Sequence, residues 1–451
     1  MRRSVAELAT LLGAHLEGEG ATRVTGVAID SRAVRPGDLF VALPGERVDG
    51  HEFAAQAASA GAAAALVSRP IGAELPRLVV PDTLVALQRL ARAERAGAAY
   101  RLAAVTGSIG KTTTKEFLVA LLATTFSVGF TSGSRNSQVG FPSELCNRPE
   151  GTAWMVAELG MNHAGELDRL GAIAEPDALL YTVVAPVHLE FFQDVDAIAE
   201  AKAELIRHLR SDGLLVLNAA DPRVAGFADR FGGKALRYGV ADASDLWLEG
   251  YRANGLLGST FRLTGPLATL ELEWPIPGRH QADNLMAAAT LALAVGVAPS
   301  AIPPCATRLT PPPRRGVVHV LGGSGITLVD DSYNSSPQAA RAGLNLLAAT
   351  PGRRVAVLGE MLELGPGSPA LHREVGRAAA AAANVVVAVG GESAAVLARA
   401  AEGVEAHHVA TATEALGLLR GLLRPGDVVF VKGSRAIGLD LVVDGLRAGV
   451  R

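Results

Sequence analysis

Thr106-Gly107-Ser108-Ile109-Gly110-Lys111-Thr112-Thr113-Thr114 is the stretch on which the reading of this chain turns. It follows an apolar run at 100–105, which reads as a buried strand, and it opens a helix expected over 115–122. Glycines between a strand and a helix let backbone N–H groups turn inward around phosphate oxygens, and the helix N-terminus adds partial positive charge. Lys111 would then reach the β- and γ-phosphates of a nucleotide, and the Thr112 hydroxyl would ligate Mg²⁺. Gly107, Ser108, Gly110, Lys111, Thr112 and Thr113 are the nucleotide-binding candidates. The bland alternative, a Gly-rich turn with a lone lysine, does not account for the strand and helix on either side. The pattern is G-x-x-G-K-T, shorter than the general phosphate loop. Val105 stands where the earlier glycine would be.

Working outward, short β-rich runs alternate with Ala-rich helical runs along the whole chain. Strands are expected at 22–29, 38–43, 63–67 and 77–80, with helices at 53–60 and 84–96. This is a small α/β unit over residues 1–98. A second unit, 99–310, contains the phosphate loop and further strands at 154–157 and 179–184. Pro311-Pro312-Pro313 ends it, because consecutive prolines continue neither a helix nor a central strand. Apolar runs at 326–329, 354–358, 385–389 and 428–431, separated by helical segments, predict a doubly wound parallel sheet in 311–451. The fold class is therefore α/β in three domains: a small first unit, a central P-loop unit with a mostly parallel sheet, and a C-terminal Rossmann-like unit.

With 451 residues the chain exceeds one domain of ~100–200 residues. It is 49% hydrophobic and 19% charged, with net charge −3, which describes a globular chain and asks for neither nucleic acid nor an anionic membrane. No run approaches the ~18 uninterrupted apolar residues of a membrane span. Met1-Arg2-Arg3 is followed by Glu7 and His15, so the start reads as a helix and not as a signal peptide. Cys146 and Cys305 form no metal spacing, and a reduced, cytoplasmic setting is expected. Of 42 Lys plus Arg only five are lysines: Lys111, Lys115, Lys202, Lys234 and Lys432. A lysine that survives in such a chain is enriched at positions where an ammonium or a primary amine is needed. Lys234, beside Gly232-Gly233, reads as an ordinary solvated charge.

Further positions can serve the phosphates. The strand at 154–157 leads to Glu158, and a carboxylate at such a strand end can hold Mg²⁺ directly or through water. His188, beyond the next strand, is a metal ligand, a nucleotide contact or a packed histidine. Lys202 lies on a helix expected over 198–209, either paired with a carboxylate or carrying a carbamate, which only a deprotonatable amine can form.

In their order and spacing these residues resemble the Mur ligase family over the whole chain, and within it the branch that adds D-alanyl-D-alanine to UDP-N-acetylmuramoyl-tripeptide. Asp30-Ser31-Arg32 and Pro44-Gly45-Glu46-Arg47-Val48-Asp49-Gly50-His51 resemble its uridine-nucleotide domain, implying substrate contacts at Ser31, Arg32, Gly45, Asp49 and His51. The short phosphate loop matches the family's own. Thr131-Ser132-Gly133-Ser134-Arg135-Asn136 resembles a substrate loop, with Asn136 on the substrate and Ser134 where an Asn is expected. Glu158 and His188 match the Mg²⁺ and phosphate positions, and Lys202 the carbamylated lysine; these, with Thr112, form the implied metal set. Asn284, in Gly278-Arg279-His280-Gln281-Ala282-Asp283-Asn284, resembles an adenine contact. Arg315, or Arg314 one register away, resembles the arginine that reaches the triphosphate. Asp330-Asp331-Ser332-Tyr333-Asn334-Ser335-Ser336-Pro337 resembles the loop of the D-alanyl-D-alanine-adding branch, with Asp331 serving the nucleotide and Tyr333 and Asn334 the amine substrate. Gly359-Glu360-Met361-Leu362-Glu363-Leu364-Gly365 and Lys432-Gly433-Ser434-Arg435 complete the match.

The resemblance implies ATP-dependent amide formation through an acyl phosphate, with Lys111, Glu158, His188, Lys202 and Arg315 as the catalytic set. ATP, Mg²⁺, the UDP-linked tripeptide and D-alanyl-D-alanine are the expected ligands, and the chain is expected to be a monomer. No Ser-His-Asp or Cys-His arrangement supplies a protein nucleophile. Rival readings are another member of the superfamily, such as a tripeptide-forming Mur ligase or a folyl-polyglutamate synthase, and a P-loop ATPase coupled to a partner.

Overall fold

The computed structural model describes residues 1–45 and 48–449; the expected motif positions Glu46 and Arg47 lie outside the described residues. The fold is α/β and built on three main sheets. In the first, strands His15–Glu17, Arg77–Val79, Ala64–Val67, Asp38–Val41 and Gly26–Ala28 lie side by side in that order. All pairs but the first are parallel. The strand expected at 22–29 is split: Arg23–Val24 pairs with Arg3–Ser4 in a separate ribbon, and only Gly26–Ala28 joins the sheet. Asn147 explains how that edge is finished. Its side chain donates to Val27 O (2.7 Å) and accepts from Val27 N (2.8 Å), as a neighbouring strand would.

The central sheet has six parallel strands in the order Val128–Phe130, Trp154–Glu158, Arg101–Thr106, Ala178–Tyr181, Leu214–Asn218, Lys234–Tyr238. Arg101–Thr106 buries Leu102 and Ala104 on one face and Ala103 and Val105 on the other. That two-sided burial is why the run is uniformly apolar. It is first in sequence yet central in space, so the chain order reverses beside it, where open α/β sheets bind ligands at their strand C-termini. The three-stranded antiparallel sheet Trp247–Ala253, Ser259–Thr264, Leu270–Trp274 packs beneath helix Arg279–Ala294.

The third sheet runs Val317–Leu321, Ile326–Asp330, Val428–Lys432, Arg354–Gly359, Val385–Val389, Glu405–Val409. The doubly wound reading holds for five of its strands; Val317–Leu321 is an antiparallel edge. Val355 and Val357 face one apolar cluster and Ala356 and Leu358 another.

One apolar cluster runs continuously from helix Val5–Leu12 and helix Thr83–Ala96 into the central sheet. Arg95 reinforces the joint: its buried guanidinium donates to Ala174 O, Tyr100 O, Glu175 O and Asp177. The C-terminal sheet has clusters of its own. Among the described residues no helix is long and apolar enough to cross a membrane.

Candidate active site

The loop leaves the strand after Thr106, which is why Val105, still in the strand, is not a glycine. Gly107 has φ +141°, and a Cβ there would sit 2.0 Å from Thr182 Oγ1. Gly110 has φ +87°, and its Cβ would sit 2.5 Å from Asn284 Oδ1. Both positions therefore need glycine on conformation and on space. The loop is sewn to the next strand's exit: Ser108 N donates to Val183 O (2.6 Å), Ala185 N to Ser108 Oγ (3.0 Å) and Thr182 Oγ1 to Ile109 O (2.6 Å).

The helix begins at Lys111, four residues earlier than the sequence pattern predicts, and no side chain caps it. Threonine-rich turns read poorly as helix, but here Gly110 supplies the left-handed entry and Thr112, Thr113 and Thr114 are buried. An uncapped N-terminus at a glycine loop is an anion site. Lys111 Nζ curls back onto Gly107 O (2.7 Å) and Ser108 O (3.1 Å). Burial lowers its pKa most; Glu158 opposes that shift and Arg315 adds to it.

Glu158 ends the neighbouring strand and is 1% exposed. Its oxygens accept from Thr112 Oγ1 (2.7 Å) and Asn136 Nδ2 (2.6 Å), and its N–H donates to Thr131 Oγ1 (3.0 Å). A hydroxyl and a buried carboxylate side by side at the phosphate loop suit Mg²⁺, which takes one or two protein oxygens and fills its shell with phosphate and water. Asn136, expected on substrate, stands beside the metal candidate and donates to Glu158. Among the described residues no three His, Cys, Asp or Glu side chains converge.

Lys202 is 1% exposed and forms no ion pair among the described residues. Its pKa falls well below the usual lysine value, first through burial and then through Lys111. The carboxylate-paired alternative for Lys202 therefore finds no partner here. The obvious neighbour, Glu204, instead caps helix Glu166–Ala174 by accepting from Gly165 N and Asp168 N. The expected 198–209 helix is divided into Val195–Ala203 and the tighter turn Glu204–His208 at that capping residue.

His188 points to the C-terminal unit. Its Nδ1 lies 2.5 Å from Glu363 Oε2, and Glu190 N donates to Glu363 O. Both His188 (φ 56°) and Glu363 (φ 63°) sit in the left-handed region. The His188 hydrogen bond holds the Glu363 carboxyl below its usual range.

The two candidate arginines take different directions. Arg314 turns away to Asp330 (3.3 Å) and Asp444 (2.7 Å). Arg315 lies over the Tyr333 ring at 4.2 Å, and its charge reaches Lys111. Arg435 is near the same ring at 5.3 Å and donates to Tyr333 Oη (3.1 Å). Tyr333 Oη also bonds Ser134 Oγ, across from the central unit. Asp331 pairs with Lys432 (2.6 Å), which also donates to Asn334 O (2.9 Å). His280 is close enough to feel both Asp331 and Lys432, though burial is the larger influence and lowers its pKa. Asn284 Oδ1 accepts from Thr114 Oγ1 (3.3 Å), at the base of the phosphate loop.

In the first unit, Ser31 donates to Gln56 (2.9 Å). The His51 ring bridges Asp49 (2.6 Å) and Ser68 N (2.9 Å), while Arg69 holds Asp49 (2.8 Å). Gly45 N donates to Val48 O. Ser31 and His51 are thus engaged inside their own unit, and the Arg32 guanidinium, beside Asp30, is largely exposed.

Sequence reasoning passed over Ser134, Lys115, Glu363 and Arg435 as individual site residues. Lysine scarcity was a usable signal for Lys115. Glu363 and Arg435 lay inside quoted motifs, but nothing local says which side chain crosses to another sheet.

Residues 23–95 match the family description "Mur ligase family, catalytic domain", 105–292 "Mur ligase middle domain", and 317–435 "Mur ligase, glutamate ligase domain". The UDP-N-acetylmuramoyl-tripeptide--D-alanyl-D-alanine ligase of Escherichia coli is 36% identical over 449 residues, covering 98% of each chain. A crystal structure of MurF from Acinetobacter baumannii superposes with TM-score 0.89 at 30% identity, covering 99% of each chain. The MurF ligase of Thermotoga maritima in complex with ADP gives 0.82 at 28% identity, covering 94% of this chain and 98% of that one.

Proposed function

The chain belongs to the Mur ligase family, and from that premise we propose that it joins UDP-N-acetylmuramoyl-tripeptide to D-alanyl-D-alanine at the expense of ATP. The observation that carries this reading is the meeting of two loops. The phosphate loop with Glu158 lies on one side, and Asp331, Tyr333, Asn334 and Lys432 lie on the other, joined through Ser134 and Tyr333.

A carboxylate is a poor acyl donor and must be activated. The tripeptide carboxylate attacks the γ-phosphoryl group of ATP, giving an acyl phosphate and ADP. The dipeptide's free amine then attacks the acyl carbon, and the tetrahedral adduct collapses to amide and phosphate. Lys111 and Arg315 neutralise charge on the phosphoryl oxygens, and most of the catalysis is positioning and electrostatics. Thr112 and Glu158, with His188 in the same role, would hold Mg²⁺, which supplies charge neutralisation when bound. Lys202, a buried amine with no acidic partner among the described residues, fits a carbamate, since only its neutral form attacks CO₂. Asn284 and Asp331 serve the nucleotide, and Tyr333 and Asn334 the dipeptide. Arg32 is the most available uridine-side contact; Asp49, His51, Ser31 and Gly45 shape that pocket, and Asn136 acts through Glu158. In this reading 1–98 receives the UDP end, 99–310 the ATP and 311–451 the amine. The protein works in the cytoplasm as a monomer.

The test is phosphate release from ATP and Mg²⁺ with the UDP-linked tripeptide, with and without D-alanyl-D-alanine. Release that needs both, with UDP-linked pentapeptide formed, is expected. Release without consumption of tripeptide would return the chain to the plain ATPase reading.

A further inference from the structure

We propose that Lys115 is a positioning residue for the reaction: its buried ammonium fixes the 131–136 loop in the conformation that brings Asn136 to Glu158 and Ser134 to Tyr333. The proposal rests on the ligase reading of this site and adds to it a residue that touches neither substrate nor nucleotide.

Lys115 is 0% exposed, at the start of the second turn of the phosphate-loop helix. Its Nζ donates to Thr131 O (2.7 Å), Gly133 O (3.4 Å) and Glu116 Oε1 (2.5 Å), which uses all the donors of an ammonium. Most of the loop's other carbonyls are engaged within the backbone. Ser132 O accepts from Arg135 N, Ser134 O from Asn136 N, and Asn136 O from Gly160 N. The carbonyls of Thr131 and Gly133 are the ones that Lys115 takes. On the other side Glu144 holds Ser132 and Arg135. Gly133, at φ +55°, turns the chain so that two alternate carbonyls, of Thr131 and Gly133, reach one nitrogen.

Two side chains then leave this loop in different directions. Asn136 donates to Glu158, the carboxylate against Thr112, and Ser134 meets the Tyr333 hydroxyl of the C-terminal unit. One buried cation on the nucleotide-binding helix therefore sets both the active-site carboxylate and the amine-substrate loop in register. A guanidinium, planar and larger, does not place its donors on the same points, which explains a lysine here in a chain that otherwise writes its cations as arginine.

The test is a double-variant cycle on the full chain with Lys115→Met, Lys115→Arg and Asn136→Ala, reading kcat, the KM for UDP-tripeptide, the Kd for ADP and Tm. The wild-type rate with both substrates checks the ligase reading on its own. Expected are a kcat loss of about tenfold or more in each single variant, with KM and the ADP Kd within about threefold. Lys115→Met with Asn136→Ala should lose less than the product of the two single losses, because the lysine acts in part through the asparagine. Multiplying losses would overturn the proposal. So would a tenfold weaker ADP affinity, which would place the effect in the phosphate loop itself. If Lys115→Met does not fold, Lys115→Arg carries the test: wild-type kcat in that variant, or a fall in Tm without a fall in kcat, would equally overturn it.

Discussion

At the scale of single residues, the site is a small set of largely buried groups that feel one another's charge. Lys111→Met is expected to lower kcat by about 10²–10³-fold, the usual loss when a fixed donor to developing charge is removed, as read by phosphate release. Glu158→Gln should raise the Mg²⁺ concentration for half-maximal rate, because it removes the carboxylate but keeps the shape. Asp49 offers a pH signature. Hydrogen bonds from the His51 N–H, the His51 ring and Arg69 hold its carboxyl well below the ordinary range. The folded-state value lies below the unfolded ~3.9, so this contribution to stability is complete above that value and is lost as pH falls towards the folded-state one. Asp49→Asn should therefore melt lower than the parent at pH 7, and the two Tm values should draw together below about pH 4. A gap that widens in acid would contradict the pairing.

At the scale of elements, legibility followed burial. Runs buried on both faces, such as Arg101–Thr106, Val385–Val389 and Val428–Lys432, are apolar except at their ends and could be read within a residue or so. Edge elements could not. His15–Glu17, Val317–Leu321 and Glu405–Val409 carry polar residues because one side meets solvent. The antiparallel sheet 247–274 hid behind alternation too short to separate from loop, although Ser259–Thr264 does alternate buried and exposed. Of the site, the phosphate loop and strand-end Glu158 were local and legible. The contacts His188–Glu363 and Ser134–Tyr333 join residues 175 and 199 positions apart, and no periodicity reports such a meeting. Gly107→Ala is the element-scale test: it places a methyl on Thr182 Oγ1 at a positive φ, so ADP binding should fall at least tenfold while the remaining sheet stays folded by circular dichroism.

For the whole molecule, the shared core and Arg95 make the first two units one body. Arg95→Met should cost ~3 kcal/mol, since it strands Asp177 and several carbonyls at a buried joint, measurable by denaturant unfolding. The C-terminal unit has its own core and meets the others through polar clasps and the apolar side chain of Leu256, which packs against that core. Closure is therefore expected to be motion of that unit alone. Small-angle scattering should show Glu363→Ala more expanded than the parent without ligands, and compacting to the same size with an ATP analogue and UDP-tripeptide. Equal dimensions in the unliganded state would show that the His188 clasp does not hold the arrangement.

The lysine distribution also decides how this protein can be handled. Lys115, Lys202 and Lys432 are buried and Lys111 is folded into its loop, whereas Lys234 stands exposed at the start of an edge strand. In a parallel sheet the start of a strand lies at the opposite end from the ligand crevice. An amine-directed biotin or surface-coupling reagent thus has one ready ε-amine, remote from the chemistry. Attachment there would present every molecule with its cleft facing solution, and a mass increment at Lys234 would serve as an internal check that the interior lysines remain shielded.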